Sequence, residues 1–364
     1  GTSLMSNFTK LMKQAASGAA GKSVYVEDVF STYLYEGTSA AGNTVNNGID
    51  LDGEGGMVWL KSRGDAQSHG IFDTERGAGK LLSSDTTSAE LSYTDISAFN
   101  SNGFTLGYYS GWFNSSSYDQ CSWTFRKQAG FFDVVTYTGD TSTSKQIAHN
   151  LDSTPACIFI KRTDDSVNWL VYHKDIPGSN GTGVGFLKLN TTDTDNVNSN
   201  AFPTQPTDTH FTVNANYGGM NASGATYVAY LFAHDDQQFG DDSDESIIKC
   251  GSFTNDSASV GVEVNLGWEP QWLLIKGASS GSGLGNWALI DNMRGASVDS
   301  QQRLYANATT VEGSSNWFKF TSRGFTPNTY FDGTLIYIAI RRPMKNPEAG
   351  TDVYAADTLG GTTP

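Results

Sequence analysis

The sequence predicts an all-β fold of three tandem β-sandwich, jelly-roll-like repeats that follow a short N-terminal helix. Its apolar runs are short, rich in β-branched and aromatic residues, and closed by Gly, Asn, Asp, Ser or Pro, which is typical of strands joined by turns. The 364 residues include 40 glycines and only 17% are charged, in agreement with many turns. About seven strands in each 100 residues or so fit a sandwich or a jelly roll.

Internal repetition is the second observation behind this fold. One segment occurs three times, as GGMVWLKSR (55–63), TPACIFIKR (154–162) and EPQWLLIKG (269–277). Its lysines, Lys61, Lys161 and Lys276, lie 100 and 115 residues apart. Another element comes before the last strand of each repeat, as NGFTLG (102–107), THFTVN (209–214) and RGFTPN (323–328). A period of this length indicates duplicated domains, because solenoid repeats are about 20–50 residues long.

The repeats divide the chain into five segments. They are an N-terminal helical or attachment segment (1–23), repeat 1 (24–130), repeat 2 with an acidic linker (131–245), repeat 3 (246–345) and a Gly/Thr-rich tail (346–364). SNFTKLMKQAA (6–16) carries its apolar side chains on one stripe, which predicts the helix. We expect Met5 to be the native start and the native chain to continue beyond Pro364.

Two kinds of strand are expected within the repeats. Residues 57–60 and 335–340 are continuously apolar, which predicts central strands covered on both faces. Residues 122–125 and 318–320 alternate between polar and apolar side chains, the pattern of strands with one buried face.

Charge and cysteine content exclude several classes of protein. With 23 Lys plus Arg against 38 Asp plus Glu, the net charge is −15, which argues against a nucleic-acid partner and against an anionic membrane surface. No apolar run approaches the ~20 residues of a membrane span. Cys121, Cys157 and Cys250 are widely spaced in strand-like runs, so we expect buried free thiols and neither disulfides nor a zinc site.

Several segments resemble a known family. They are NFTKLMKQAASGAAGKSVYVEDVFSTYLYEG, NGIDLDGEGGMVWLKSR, FNSNGFTLG and above all WTFRKQAGFFDVVTYTGD. They are similar to a repeated domain of uncharacterised function in virion and tail-associated proteins of marine tailed bacteriophages. The resemblance extends from about Asn7 to Ala349. It implies a virion component on the particle surface or tail, such as a tail-fibre or host-recognition protein, and carries over no catalytic residue.

The loop before the last strand of each repeat is the candidate binding site, because its aromatic residues stand among small polar ones. The candidate ligand-binding residues are Tyr108, Tyr109, Trp112, Phe113 and Tyr118 in repeat 1, Tyr217 in repeat 2, and Tyr330 and Phe331 in repeat 3. Aromatic faces stack on sugars and neighbouring Asn, Ser and Asp bind hydroxyls, so a host cell-surface glycan or receptor is the expected partner. Alternatively, the rings pack under the loop or against another unit or subunit.

An enzyme is not expected. No HExxH, no phosphate-binding loop and no GxSxG elbow in a strand–helix setting is present, and the five histidines show no metal-ligand spacing. A glycan-degrading, tailspike-like hydrolase is the alternative, with Asp73 and Glu75, or Asp175 near Asp164 and Asp165, as its carboxylates. The third alternative is a ligand-free structural spacer or capsid decoration.

No cofactor is expected, apart from a candidate structural calcium ion in DLDGEGG (50–56) or in DDQQFGDDSDE (235–245). Other virion proteins are expected partners. The three similar units predict either a pseudo-threefold monomer or a homotrimer, since fibres commonly close with threefold symmetry.

Overall fold

The computed structural model describes residues 23–107, 112–176, 185–194, 201–215, 219–279, 281–296 and 301–346. The helix predicted over residues 6–16 lies outside these ranges. Within them the chain is nearly all β, with one short helix, α1 (Val26–Val29), directly before the first strand. No helix of these residues is long and apolar enough to cross a membrane.

Three large antiparallel sheets follow one another along the chain. The first sheet has the order β1 (Phe30–Glu36), β9 (Asp119–Arg126), β3 (Gly56–Ser62), β4 (Gly70–Asp73). The second has the order β10 (Phe132–Thr138), β16 (Thr226–Phe232), β12 (Cys157–Arg162), β13 (Leu170–His173), β14 (Leu187–Lys188). The third has the order β17 (Ile248–Thr254), β25 (Thr334–Arg341), β19 (Pro270–Gly277), β20 (Ala288–Asp291), β21 (Gln301–Tyr305), β22 (Gly313–Ser315). In each large sheet the strand that comes first along the chain pairs with the strand that comes last in that region (β9, β16 or β25). This last strand also pairs with the strand formed by the segment that carries Lys61, Lys161 or Lys276, which we call the Lys61-type segment.

Smaller sheets complete the architecture. They are β2 (Asn43–Asn46) with β8 (Gly103–Leu106) and β7 (Ile96–Asn100); β11 (Lys145–Ala148) with β15 (His210–Val213); β18 (Val264–Asn265) with β24 (Gly324–Pro327) and β23 (Phe318–Thr321); and β5 (Lys80–Leu81) with β6 (Leu91–Ser92). Val58 and Leu60 of the first sheet share a buried cluster with Phe104 of β8. Leu273 of the third sheet does the same with the facing small sheet. The all-β prediction is confirmed, and the packing is β-sandwich-like.

The opposite faces of the three large sheets share one core. Its largest side chains include Trp59, Trp123, Trp169, Trp272, Tyr172 and Tyr230, all with less than 2% of their surface exposed. At one end of the sheets, the ring of Phe125 lies 5.7 Å from Phe232 of the second sheet and 5.7 Å from Trp272 of the third. The links between the sheets leave from this end, and the loops before β9, β16 and β25 lie at the other end of each sheet.

Hydrogen bonds also join the three sheets in cyclic order. The side chain just before β4, β13 or β20 reaches a backbone carbonyl of another repeat in each case. The bonds are Trp169 Nε1 to Ser83 O (2.9 Å), Trp287 Nε1 to Lys188 O (2.9 Å) and His69 Nε2 to Tyr305 O (2.9 Å). The second sheet region thus binds the first, the third binds the second, and the first binds the third, so the contacts close on themselves.

Strand burial confirms one expectation and corrects another. The continuously apolar strands β3 and β25 are central, each between two partners. The alternating residues 122–125 were expected to bury one face, but Ser122 and Thr124 are fully buried. The reason is that β9 lies between the sandwich core on one face and the shared core on the other. All three cysteines are free and buried, as predicted.

Candidate functional site

The eight aromatic residues predicted to bind a ligand have different environments. Tyr108, Tyr109 and Tyr217 lie outside the described residues. Tyr118 and Tyr330 are exposed, at 40% and 58% of their surface. The other three are partly or fully buried, and each has ring partners within the protein.

Phe113 corrects the prediction, because its side chain is fully buried and cannot face a ligand. Its ring packs edge-on against Phe72 at 6.3 Å, and the Tyr35 hydroxyl donates to its carbonyl oxygen at 2.9 Å. The next residue, Asn114, accepts a hydrogen bond from the backbone N–H of Thr38 at 2.9 Å. This Phe-Asn pair therefore anchors the loop to the end of β1.

The loop of repeat 2 is anchored in the same way. Met220 is 1% exposed, and the Tyr137 hydroxyl donates to its carbonyl oxygen at 2.8 Å. Asn221 is fully buried and accepts the backbone N–H of Asp140 at 2.9 Å. The recurrence of this loop thus reflects a structural anchor, and only its remaining side chains are available for contacts.

Trp112 and Phe331 are half-buried. The Trp112 ring lies 5.9 Å from Tyr93 and 6.1 Å from Phe113. Phe331 packs edge-on against Trp317 at 5.2 Å and stacks on Phe318 at 5.8 Å. Both rings mainly cover the sandwich interior.

Tyr118 borders a surface cleft between the first sheet and the segment joining β21 to β22, which carries Glu312. A cleft of about 350 Å³ is lined by Arg63, Gly64, Ser117, Tyr118, Asp119 and Glu312. A second cleft, of about 270 Å³, shares two of these residues and is lined by Leu34, Tyr35, Glu36, Arg63, Asp119 and Gln120. We refer to the two together as the Arg63 cleft. Its volume is within the usual range of small-molecule sites.

Arg63 is held rigidly at the centre of this cleft. Its Nη2 donates to Glu312 Oε2 at 2.8 Å, and its Nε lies 3.1 Å from the same oxygen. Its backbone N–H donates to Asp119 O at 2.9 Å, and its own carbonyl accepts the N–H of Glu312 at 2.9 Å. Burial alone would lower the pKa of Arg63, but the hydrogen bond and charge of Glu312 raise it above its ordinary value. The guanidinium therefore stays charged and in place.

The side-chain oxygen of Gln120, next to Asp119 in β9, is a buried acceptor that lacks a partner among the described residues. The residue is fully buried, and its Nε2 donates to Tyr118 O at 3.0 Å. Among the described residues, nothing donates to its Oε1. A buried acceptor without a donor costs about 1–3 kcal/mol. Successive strand residues alternate between faces, so the Gln120 side chain points to the face of Tyr35 and Ser62, away from Asp119 and Arg63.

The Tyr118 ring completes the cleft. It lies against the backbone of Gly64, where an added Cβ would be 3.0 Å from Tyr118 Cδ1. A larger residue at position 64 would displace the ring. Glycine thus allows the ring to lie against the backbone at position 64, while 40% of the residue stays exposed and available for stacking.

The carboxylates proposed for glycan hydrolysis are engaged elsewhere. Asp73 is fully buried and accepts from Arg76 Nε at 2.6 Å and from the Tyr230 hydroxyl at 2.7 Å. Glu75 forms an ion pair with Lys127 at 2.6 Å. Asp73 has no access to a substrate, so this pair cannot flank a glycosidic bond.

The second set of proposed carboxylates is similarly paired. Asp164 and Asp165 bind Arg162 at 2.7 and 3.2 Å, and Asp175 binds Lys174 at 3.0 Å. These surface ion pairs have ordinary solvated surroundings.

The acidic stretches proposed for calcium form no ligand set. Across the described ranges, no three His, Cys, Asp or Glu side chains converge as metal ligands. Asp50 accepts the N–H of Gly53 at 2.8 Å, as in an ordinary turn. In the linker, Asp235 forms an ion pair with Lys249 at 3.0 Å.

The three anchor lysines are fully buried and structural. Lys61 Nζ donates to Ser62 O at 2.7 Å, Lys161 Nζ to Arg162 O at 2.7 Å, and Lys276 Nζ to Gly285 O. Burial lowers the pKa of Lys61 and Lys161 to about 8 and that of Lys276 to about 7. Each lysine thus ties the loop that follows its strand, which explains why it recurs.

Sequence reasoning missed most of the Arg63 cleft. Arg63 follows the anchor Lys61 by two residues, and Asp119 and Gln120 open β9, so the strand boundaries could have drawn attention to them. Glu312 is 249 residues from Arg63 along the chain, and no local pattern connects the two.

The comparison with known families identifies one match. Residues 26–339 match a family described as Domain of unknown function (DUF7483). The match covers most of the chain, and the chain therefore belongs to this family. No curated protein matches the sequence.

Proposed function

We propose that this DUF7483 protein is a phage virion component, a tail-fibre or host-recognition protein at the particle surface or tail, which binds cell-surface glycans through the Arg63 cleft. The phage context rests on the resemblance of the sequence described above. The binding role rests on one observation: an exposed aromatic ring, Tyr118, lines a surface cleft together with a charged guanidinium and exposed carboxylates. This combination offers a stacking face together with hydrogen-bonding groups for sugar hydroxyls.

The roles within the cleft follow from its geometry. Tyr118 would stack on the C–H face of a sugar ring. Asp119, with 69% of its side chain exposed, and Glu36 would accept hydrogen bonds from sugar hydroxyls. Arg63 positions Glu312 through Nε and Nη2, and its Nη1, 3.8 Å from Asp119 Oδ2, would be able to donate to a sugar oxygen.

We further propose that residues 24–130, 131–245 and 246–345 are three tandem β-sandwich repeats around a pseudo-threefold axis within one chain. The common strand order of the three large sheets and the three cyclic hydrogen bonds support this arrangement. The Arg63 cleft lies where repeat 3 meets repeat 1, so a closed ring is needed to form it. On this proposal a homotrimer is not required for threefold symmetry.

Glycan arrays with wild type and two matched variants test the binding role. Tyr118→Ala should weaken binding to the best glycan at least about tenfold, in line with the loss of an aromatic anchor. Tyr330→Ala removes an exposed tyrosine outside the cleft lining and should change binding less than about twofold. Equal effects of the two substitutions, or none from Tyr118→Ala, would contradict the proposal.

The alternative functions give different results in the same experiments. A hydrolase would release reducing ends from the bound glycan, whereas we expect none because the candidate carboxylates are buried or paired. A ligand-free spacer or capsid decoration would bind no glycan in either form.

A further inference from the structure

We infer that Arg303, at the edge of the third large sheet, is the centre of a second binding site, which takes the carboxylate or sulfate group of an acidic sugar. Arg303 lies in β21 and lines neither part of the Arg63 cleft. The inference goes beyond the glycan binding proposed for that cleft and does not depend on it. Three features support it: the lack of a carboxylate partner, the fixed position of the guanidinium, and the apolar residues at the equivalent positions of the other two large sheets.

Arg303 differs from most arginines of this acidic chain. Seven of the nine arginines form ion pairs with Asp or Glu. Arg126, which forms none among the described residues, donates to Gln128 Oε1 at 2.6 Å, and its Nε is buried. Arg303 is partly exposed, and no carboxylate within the described ranges pairs with it. Its positive charge is therefore available to a ligand.

Neighbouring groups hold the guanidinium of Arg303 in one place. Its Cζ lies 4.3 Å from the centre of the Trp317 ring, which in turn packs edge-on against Phe331 at 5.2 Å. Its Nε donates to the hydroxyl oxygen of Tyr305 at 2.6 Å, and its Nη1 donates to Ser314 O. These bonds use two of the five N–H groups of an arginine, and within the described chain nothing accepts from the others. The N–H groups of one guanidinium can bind two oxygens of the same carboxylate or sulfate, and a guanidinium that is already fixed loses little side-chain freedom on binding.

The fold does not require a charge at this position. Equivalent positions in the three large sheets follow from one recurring hydrogen bond, in which the residue just before β4, β13 or β20 donates its backbone N–H to a side chain further along. The acceptors are Asp85, Asn190 and Asn307, at 2.8, 2.9 and 2.8 Å. Four residues before these acceptors stand Leu81, Phe186 and Arg303. Leu81 and Phe186 are buried, so the first two sheets use an apolar side chain where the third has a cation on an aromatic ring.

The surroundings leave the unbound N–H groups accessible. Gly313 of β22 lies directly across from Arg303, and an added Cβ would lie 3.9 Å from Arg303 Cζ and Nη2, so a longer side chain would crowd these groups. The preceding residue, Glu312, is already bound by Arg63 and Arg294. The net charge of −15 opposes anions at long range, but at physiological ionic strength charges further away than about 8 Å are largely screened.

Calorimetric titration of the full chain with two tetrasaccharides tests the site. One is a tetramer of galacturonic acid, and the other, a tetramer of N-acetylglucosamine, is neutral. Arg303→Gln removes the charge and should weaken uronate binding about tenfold while leaving the neutral tetramer within about twofold. Arg303→Lys keeps the charge but not the planar fork, and should weaken uronate binding about fivefold.

Arg323→Gln is the matched control, because it removes another exposed cation of the same part of the chain. The Arg323 side chain is 65% exposed and pairs with Glu263 at 2.8 Å. Its loss should change uronate affinity by less than about twofold. Inorganic sulfate is titrated in parallel, and the unfolding temperature of each variant shows whether it is folded.

The outcomes distinguish this inference from the proposed function. Equal effects of Arg303→Gln and Arg323→Gln, or no uronate binding by wild type, overturn the inference, and neutral glycan binding that depends on Tyr118 would still support the Arg63 cleft. Sulfate binding as tight as uronate binding would mean that the site takes a free ion and not a sugar, which also overturns the inference. Uronate binding that depends on Arg303 stands even if Tyr118→Ala changes the binding of no glycan, a result that contradicts the proposed function alone.

Discussion

Three contacts between the large sheets use the same position of the fold. In two of them, which we call ionic, the residue at this position is an aspartate paired with a nearby arginine; in the third, which we call neutral, it is a histidine. The last residue of β4 is Asp73 and that of β20 is Asp291, whereas β13 ends in His173. The aspartates bind the neighbouring sheet through Tyr230 (2.7 Å) and Trp123 (3.0 Å). His173 instead lies 3.2 Å, through Nε2, from the carbonyl oxygen of Tyr337.

The residue three positions later explains the difference. Arg76 and Arg294 pair with their aspartates at 2.6 and 2.7 Å, but repeat 2 has Ile176 there. A buried carboxylate requires a cation and hydrogen bonds, because the cost of removing an unpaired charge from water is several kcal/mol. Without an arginine, the position takes an imidazole that stays neutral. Burial lowers the pKa of His173 to about 4.

The largest loss of stability is expected when the histidine of the neutral contact is replaced by an aspartate and no arginine is added to pair with it. His173→Asp would place a carboxylate opposite Tyr337 O with no arginine at position 176, and should destabilise the protein by about 4 kcal/mol. Adding Ile176→Arg should recover most of this loss. Urea unfolding of both variants measures the two values.

The double variant is the control for this substitution. If His173→Asp alone costs less than about 1 kcal/mol, the absence of an arginine does not explain why repeat 2 carries a histidine.

The converse change weakens an ionic contact. Asp291→Asn keeps the size of the side chain but leaves the buried Arg294 with Glu312 as its remaining carboxylate, beside a backbone carbonyl and the Trp123 ring. We expect a loss of about 3 kcal/mol in the free energy of unfolding, less than for His173→Asp because Glu312 still neutralises part of the charge. Asp256→Asn, on the exposed surface of repeat 3, is the matched control and should change stability by less than about 0.5 kcal/mol. Equal stability of the two asparagine variants would show that the contact contributes nothing.

The pH dependence of stability should separate the neutral contact from the ionic ones. The folded pKa of His173, about 4, lies below its ordinary value of 6.5, so the unfolded chain binds a proton between these values and the folded chain does not. Stability is therefore lost as the pH falls from about 6.5 to 4, by about 3 kcal/mol for this residue. His173→Gln should reduce the difference in urea unfolding between pH 7 and pH 4.5. An unchanged difference would assign the effect to the other histidines.

The smallest effects concern the hydrogen bonds that the aspartates accept from the next sheet. Tyr230→Phe and Trp123→Phe each remove one donor while their aspartates keep the arginine. The lost hydrogen bond should cost about 1–2 kcal/mol, and Trp123→Phe adds the packing cost of a smaller ring. Ile338 lies across from Leu274 in the third sheet, as Trp123 does from Trp59 in the first, and has no such bond. Ile338→Val should cost about 1 kcal/mol through lost packing alone. Thermal unfolding in parallel compares the three; a phenylalanine variant as stable as wild type would show that its bond is dispensable.

Much of the fold could be read from local patterns. The Lys61-type segments form β3, β12 and β19, and the apolar run at 335–340 lies within the central strand β25. Short apolar runs closed by turn residues specify strands locally, because alternation and β-branched side chains act over a few residues. The burial of Ser122 and Thr124 was not predictable from this pattern, because it depends on which sheet covers the second face of β9.

The aromatic loops predicted to bind a ligand show where local reasoning ends. Their recurrence is visible in the sequence, and aromatic residues among small polar ones predict a contact surface. In the structure the recurring Phe113 and Met220 are anchors, held by bonds to Tyr35 and Tyr137 that span 78 and 83 residues. A ring faces inward or outward depending on such distant partners, and Tyr118, five residues from Phe113, is exposed.

The sequence by itself determined the all-β class, the order of the strands along the chain and three free cysteines, since each depends on short-range pattern and composition. The tertiary structure alone decided which side chains meet between the sheets. Asp73 meets Tyr230, Asp291 meets Trp123, and Arg63 meets Glu312 across 157, 168 and 249 residues. Such pairs form only when the three large sheets pack together, because buried charges and acceptors take whichever partner the completed fold brings within hydrogen-bonding distance.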